Sequence, residues 1–366
     1  MARRAAHSGA HAAEACGLRA ALAARLAPLI ASTRRTRGDA ATMRTWMTRR
    51  GLGLAFLLAP ASAAAQPTPW PARPVRVVVP WAPGGGVDIV ARALAGRLSE
   101  ALGQPFVVEN RTGGGGIIGM GEAARAAPDG YTLLALDNSY TMLPHTTASL
   151  PWDHARAFIP VLLGAAAPFL LVVNAASRFQ TLGELIAAAR QAPETLSYGS
   201  GGAGSSPHFA MEAFQQAAGM KMLHVPFRGG AEAMLAVVAG QLDCSMATVS
   251  AARGQLAAGR LRALAIAAAA RSALLPEVPT FTEVGLPGFT AGIWAGLAAP
   301  AGTPQPVLDR LEAAGQTALR NEELRRGFAA QGLEPSGLGP REFAQLVREE
   351  TERWGRVAAQ AGIPKR

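Results

Sequence analysis

The chain has 366 residues, with 35 Lys and Arg against 25 Asp and Glu for a formal net charge of +10, and is long enough for two domains with buried cores. The charge is lopsided: residues 1–65 carry ten arginines against Glu14 and Asp39, while residues 66–366 hold 25 basic and 23 acidic side chains. A body that is nearly neutral, with no basic stripe interleaved with aromatics, excludes nucleic acid as a partner.

Residues 1–42, rich in Ala and Arg, precede Met43 and Met47 and read as an over-extended gene start, with a long but genuine leader as the other reading. Residues 43–65 read as a signal peptide: Arg49 and Arg50 give a positive n-region, Gly51 to Leu58 an apolar core, and Ala63-Ala64-Ala65 a cleavage signal before Gln66. That core is too short to cross a bilayer. Thr48-Arg49-Arg50 faintly resembles a twin-arginine signal, so Sec and Tat export both stay open. No cysteine stands at the cleavage point to carry a lipid anchor. The mature chain, from about Gln66, is expected in the periplasm. Cys16 and Cys244 fall on opposite sides of the cleavage point, which leaves one thiol and no internal disulfide. Cys244 lies in an apolar run and reads as a buried small residue.

Val75-Arg76-Val77-Val78-Val79 predicts a strand, and Ile89 to Leu102 an amphipathic helix. Between them, Pro80-Trp81-Ala82-Pro83-Gly84-Gly85-Gly86 is a glycine-rich loop whose backbone N–H groups, with those of the helix start, suit an anion. A tight turn that binds nothing explains this loop equally well. The alternation continues with strands at Phe106–Asn110 and Tyr131–Leu136 and a short helix from Gly119 to Ala127. A second block opens with a strand at Phe169–Val173. Thr181 and Glu184 have capping-box spacing at the head of a helix that runs to Gln191. Strand-like runs follow at Leu196–Tyr198, Met222–Val225, Leu242–Thr248 and Leu261–Ile266. The last 60-odd residues read as helical, with Phe343, Leu346, Val347, Trp354 and Val357 on one face of a terminal helix. Such alternation predicts an α/β fold with a mostly parallel sheet covered on both faces.

A second loop repeats the logic of the first. Gly199-Ser200-Gly201-Gly202-Ala203-Gly204-Ser205-Ser206-Pro207 follows a strand and precedes a helix, with Ser206 as the predicted N-cap and Pro207 at the first helical position. The hydroxyls of Ser200, Ser205 and Ser206 are expected to add donors. One such loop per lobe would hold a small molecule with two anionic groups across a cleft. Gly114 to Gly119 matches G-x-G-x-x-G, with Asp137 18 residues beyond it. However, Glu109-Asn110-Arg111-Thr112 stand between these glycines and the apolar part of the strand, the following helix is short, and a nicotinamide site is rejected. None of the three serines sits in G-x-S-x-G. His208 reads as a helix first-turn residue and His224 as a strand-end residue. His145, His154, His208 and His224 lack metal-ligand spacing, so neither metal nor cofactor is expected.

Several stretches together resemble the Bug-type solute-binding proteins of tripartite tricarboxylate transporters. They are Pro83 to Arg92, Val108-Glu109-Asn110-Arg111, Ala127 to Leu133, Tyr198 to Ser205, His224 to Gly229, Gly240-Gln241-Leu242-Asp243, Leu261 to Ala265, Val278 to Phe281 and Ala299 to Pro304. The resemblance covers residues 70–366 in order. It implies a two-lobed type II Venus flytrap, with 66–165 plus 290–366 as lobe 1, 166–289 as lobe 2, and crossings near 160–170 and 286–296. It further implies a non-enzymatic monomer that binds a small carboxylate, a di- or tricarboxylate or related organic acid, and delivers it to membrane permease subunits. A ligand-sensing input protein and, less favoured, an exported enzyme are the alternatives. The implied ligand-binding residues are Trp81, Ala82, Pro83, Gly84, Gly85, Gly86 and Asp88 on the first loop, and Asp137, Asn138 and Ser139 after the third strand. From the other lobe come Ser200, Gly204, Ser205, Ser206, Arg228, Gly229 and Thr248. Two departures bear on specificity. Met246-Ala247-Thr248 stands where the family carries a Phe-Asp-Asn-like run, and Leu136-Asp137 where it often has Gly-Thr or Gly-Ser. Asp137 is expected to point to solvent, with an ammonium contact as the other reading, and Arg228 to be either solvated or paired with a ligand carboxylate.

Overall fold

The computed structural model describes residues 70–365, so the gene-start, signal-peptide and cleavage readings lie outside the described residues. The chain opens with β1 (Val75–Val79), whose four valines are fully buried, as β-branched residues on a pleated surface favour. It continues through α1 (Gly86–Leu102), β2 (Phe106–Asn110), α2 (Ile117–Ala124), β3 (Thr132–Asp137) and α3 (Ser139–Thr146). A 17-residue strand, β4 (Phe158–Asn174), leads to α4 (Leu182–Gln191), where Thr181 and Glu184 form the predicted capping box. Then come β5 (Ser197–Ser200), α5 (Ser206–Ala218), β6 (Leu223–Pro226), α6 (Gly230–Val238), β7 (Cys244–Thr248), α7 (Val249–Ala257) and β8 (Leu261–Ile266). The chain ends with β9 (Gly292–Pro300), α8 (Gln305–Arg320), α9 (Glu322–Ala330), β10 (Glu334–Pro335) and α10 (Pro340–Ala361).

The α/β class is as predicted, but the sheet is mixed rather than mostly parallel. The strand order is β2-β1-β3-β9-β4-β7-β5-β6, with β8 and β10 also paired to β4. β1 is parallel to β2 and β3, and β5 to β6 and β7, whereas β4 and β9 run antiparallel to their neighbours. The cause is β4. Its first part pairs with β9 from Phe158 to Pro168, and its second part with β7 and β8 from Phe169 onward. One strand therefore serves both halves of the sheet.

Apolar side chains fill both halves. Val77, Leu94, Leu133, Leu297 and Leu311 belong to one buried cluster; Phe169, Tyr198, Phe209, Phe214 and Phe281 belong to another. Full burial of such a side chain stabilises by roughly 1.5–3 kcal/mol. α10 reaches both halves: Phe343 meets Trp294 of β9 edge-on at 5.3 Å, and Trp354 meets Phe209 of α5 at 5.7 Å. Between them the Glu350 carboxylate accepts the Trp294 indole N–H at 2.7 Å.

Candidate ligand-binding site

Strand register alone assembles the site. β3 runs toward the crossover of β4 and β9, with Asp137 opposite Ala295, while β7 runs toward it from the other side, with Thr248 opposite Phe169. β1 is parallel to β3 and β5 to β7. The carboxyl ends of both parallel sets therefore approach the same crossover, at Pro168–Phe169 and Ala291–Gly292, from opposite sides. α1, α3, α5 and α7 all begin at these strand ends. Their first N–H groups lack intrahelical partners and carry the positive end of each dipole, so the region favours an anion without any lysine or arginine.

The first loop is exposed from Ala82 to Gly85. Its shape comes from below. The buried Asp88 carboxylate accepts Gly84 N–H at 2.9 Å, Arg92 Nε at 2.9 Å and Asn110 Nδ2 at 2.8 Å, and Asn110 also donates to the Trp81 carbonyl at 2.9 Å. Burial raises the Asp88 carboxyl, but these donors outweigh it and hold the group below the usual carboxylate range. Gly84 sits at φ +82°, where a side chain would be strained. Asp88 thus shapes the loop, with its carboxylate engaged inside. Asn110 and Arg92 share that task, and in the sequence they stand out only as members of two stretches of the resemblance, Val108 to Arg111 and Pro83 to Arg92.

The second loop is held differently. Ser200 is fully buried, its hydroxyl donating to the Gly202 carbonyl at 3.0 Å, accepting Gly202 N–H at 3.2 Å and standing 2.7 Å from His224 Nε2. The Ser205 hydroxyl donates to the same carbonyl at 2.7 Å. Two expected hydroxyl donors are therefore turned inward. The N-cap of α5 is Ser205 rather than Ser206, and Pro207 is the second helical residue. Gly204 N–H donates to His208 Nδ1 at 3.0 Å. His208 is on the first turn of α5 and His224 within β6, at the kinds of position the sequence gives them. Their stacking, 4.0 Å between ring centroids and 13° between planes, is not legible from a 16-residue separation.

The third-strand segment departs from expectation. Asp137 is buried rather than turned to solvent, at 4 % exposure, and its Oδ1 accepts the Ser139 hydroxyl at 2.9 Å. Burial pushes its carboxyl up to about 6, with the nearby Trp81 indole and Ser139 opposing in part. That indole N–H is buried and lacks a partner of good hydrogen-bond geometry. Asn138 donates to the Gly292 carbonyl at 3.0 Å, which ties the start of α3 to the crossover. α3 then spans toward the second loop, because a Cβ on Gly204 would lie 3.0 Å from Thr146 Cγ2. Gly229 abuts the second loop at Gly201, Arg228 is exposed, and the Thr248 hydroxyl caps α7 by accepting Ala251 N–H at 3.3 Å. The loops, Asp137 to Ser139, Gly229 and Thr248 are thus gathered around one crossover.

A sequence profile described as "Tripartite tricarboxylate transporter family receptor" matches residues 90–363. The chain belongs to this family. Among relatives of this receptor is BugT of Bordetella pertussis, 34% identical over 313 residues, or 85% of this chain and 95% of BugT. Two solved structures share the fold. Rpa4515 of R. palustris with adipate has a TM-score of 0.72 at 33% identity, covering 81% of this chain and 100% of that one. MatC of Rhodopseudomonas palustris with bound malate has a TM-score of 0.68 at 34% identity, covering 79% and 99%. The receptor is a periplasmic solute-binding protein of the Bug and TctC type. Among its described residues no helix is long and apolar enough to cross a membrane.

Proposed function

We propose that this receptor captures a small dicarboxylate or related organic acid in a cleft between two lobes and delivers it to the membrane permease subunits of a tripartite transporter. The lobes are residues 66–165 with 290–366, and residues 166–289. The protein acts in the periplasm as a monomer after export, without catalysis. The observation that carries this reading is the convergence of four helix N-termini and two glycine-rich loops on the β4–β9 crossover. Amide donors to a charged oxygen contribute roughly 1.5–3 kcal/mol each. Four or five of them suffice for capture without a basic side chain. The bound adipate and malate of the two neighbouring structures fit the same chemistry. Rotation of the lobes about the crossover would bury the ligand and give the permease a closed form to recognise.

The test is a thermal-melting screen against adipate, malate, citrate and uncharged analogues of the same length. A carboxylate at about 100 times its dissociation constant should add roughly 2.7 kcal/mol to stability. A curve moved by the uncharged analogues and by none of the acids would sink the anion reading.

A further inference from the structure

We propose that His208 and His224 are positioning residues for ligand capture: a stacked pair of neutral imidazoles that holds loop 200–206 in the shape the ligand meets. The proposal rests on the solute-binding reading above and deepens it at the second loop.

Each ring holds a different part of the loop. His208 Nδ1 takes Gly204 N–H at 3.0 Å, and Gly204, at φ +86°, is where the loop meets Thr146 of α3. His224 Nε2 meets the Ser200 hydroxyl at 2.7 Å, and that hydroxyl holds both backbone groups of Gly202. The rings bear on each other at 4.0 Å, and Tyr198 of β5 extends the column behind His224 at 4.9 Å and 19°. The column is anchored at its far end. The Tyr198 hydroxyl donates to Glu212, whose Oε1 also accepts Gln215 Nε2 at 2.9 Å, and Gln215 Oε1 accepts Met222 N–H at 2.6 Å. The path therefore runs from the loop, through two rings and a phenol, into α5 and the start of β6.

The chemistry of the contact fixes the charge state. A backbone N–H only donates, so His208 Nδ1 must be the bare, accepting nitrogen and its proton must sit on Nε2. That nitrogen lies 3.9 Å from Glu212 Oε1. A proton added to Nδ1 would set N–H against N–H and free Gly204. The titratable groups facing His208 are His224 of β6, Tyr198 of β5 and Glu212 of its own helix. A second protonated imidazole at 4.0 Å would repel the first. A packing role alone would be served equally well by phenylalanine; a bracing role needs the acceptor.

The experiment uses the isotopically labelled protein and reads amide exchange at Gly204 by NMR, with adipate and malate as calorimetric probes. The variants are His208→Phe, which keeps the ring, and His208→Asn, whose Oδ1 replaces Nδ1 without a basic site. The Phe variant should speed Gly204 exchange about tenfold, the scale of one net hydrogen bond, and weaken whichever acid binds the parent by a similar factor. The Asn variant should restore both, and should remove the acid-induced loosening of Gly204 expected of the parent as pH falls below about 6.5. Long-range ¹H–¹⁵N spectra of the parent should show His208 protonated on Nε2 alone. Parent-like exchange and affinity in the Phe variant, or a proton on Nδ1 at neutral pH, would overturn the proposal. If neither acid binds the parent while Gly204 exchange still follows the His208 pattern, the brace stands and the carboxylate reading falls.

Discussion

The two glycine-rich loops share one plan, a strand, a run of glycines and a helix, yet opposite kinds of force hold them. The first is pinned by charge. An ionised Asp88 gathers an amide, a guanidinium and a carboxamide beneath the turn, and the loop above it is open to solvent. The second is pinned by neutral groups, two imidazoles and a serine hydroxyl, with Ser200 and His208 buried. A charged bracket in a partly buried setting tolerates acid until its carboxylate titrates. A neutral imidazole bracket fails as soon as protonation competes with folding. The same backbone geometry can therefore have two different pH limits within one site.

The largest expected effect separates the loops by pH. Burial, with His224 adding a little, lowers His208 to about 3. The unfolded chain then takes up this proton first, near the ordinary histidine value of about 6.5. Stability from this group is complete above about 6.5 and falls as pH drops toward 3, by about 5 kcal/mol in all. Urea titrations at several pH values should show this slope, and His208→Asn should flatten it. Asp88 works in the lower window: its value is depressed, so its contribution is present above the usual carboxylate range and is lost only below it. Asp88→Asn should cost about 3 kcal/mol at neutral pH, because Arg92 and the Gly84 amide lose a buried charge partner. Equal acid sensitivity of the two loops in amide exchange would erase the contrast.

Gly85→Val comes next. Gly85 has an ordinary φ of −75°, and a Cβ there meets only the Ala82 carbonyl at 3.6 Å. The fold should survive while carboxylate affinity drops about 10- to 100-fold, the worth of one or two charge-assisted hydrogen bonds. Unchanged affinity would return the first loop to a plain turn. Arg228→Ala is the smallest. An exposed arginine off the loops should change affinity by less than about threefold, and calorimetry would detect more.

Where side-chain type fixes local structure, the sequence is readable. The valines of β1, the Thr181–Glu184 cap and the boundaries of β2 and β8 are all visible in it. β9 was not, since Gly292-Ile293-Trp294-Ala295-Gly296-Leu297-Ala298-Ala299 shows neither alternation nor β-branched enrichment. The first part of β4 hides behind Pro160, Gly164 and a run of alanines, and α3 carries Pro144 within eight residues. The mixed character of the sheet is hidden for two reasons: β9 and the first part of β4 leave no strand pattern, and nothing in the run Phe169–Val173 shows that it lies antiparallel to β7 and β8. Within the site, both loops were legible as anion-suited backbone. The direction of each side chain was not. Ser200, Ser205 and Asp137 have the composition of ligand contacts, and only the fold shows which partner each has taken.

The single strand β4 also governs what can be made of this protein in pieces. A fragment ending at Pro168 would lack β9 and leave β3 and the first part of β4 unpaired on that side, and one starting at Phe169 would keep β9 but strip it of both those partners. Unpaired edges of that kind invite aggregation or exchange between copies. Neither half is expected to behave as an independent folding unit. Insertions, tags and circular permutation belong in the exposed turns, and the β4–β9 crossover should be left whole.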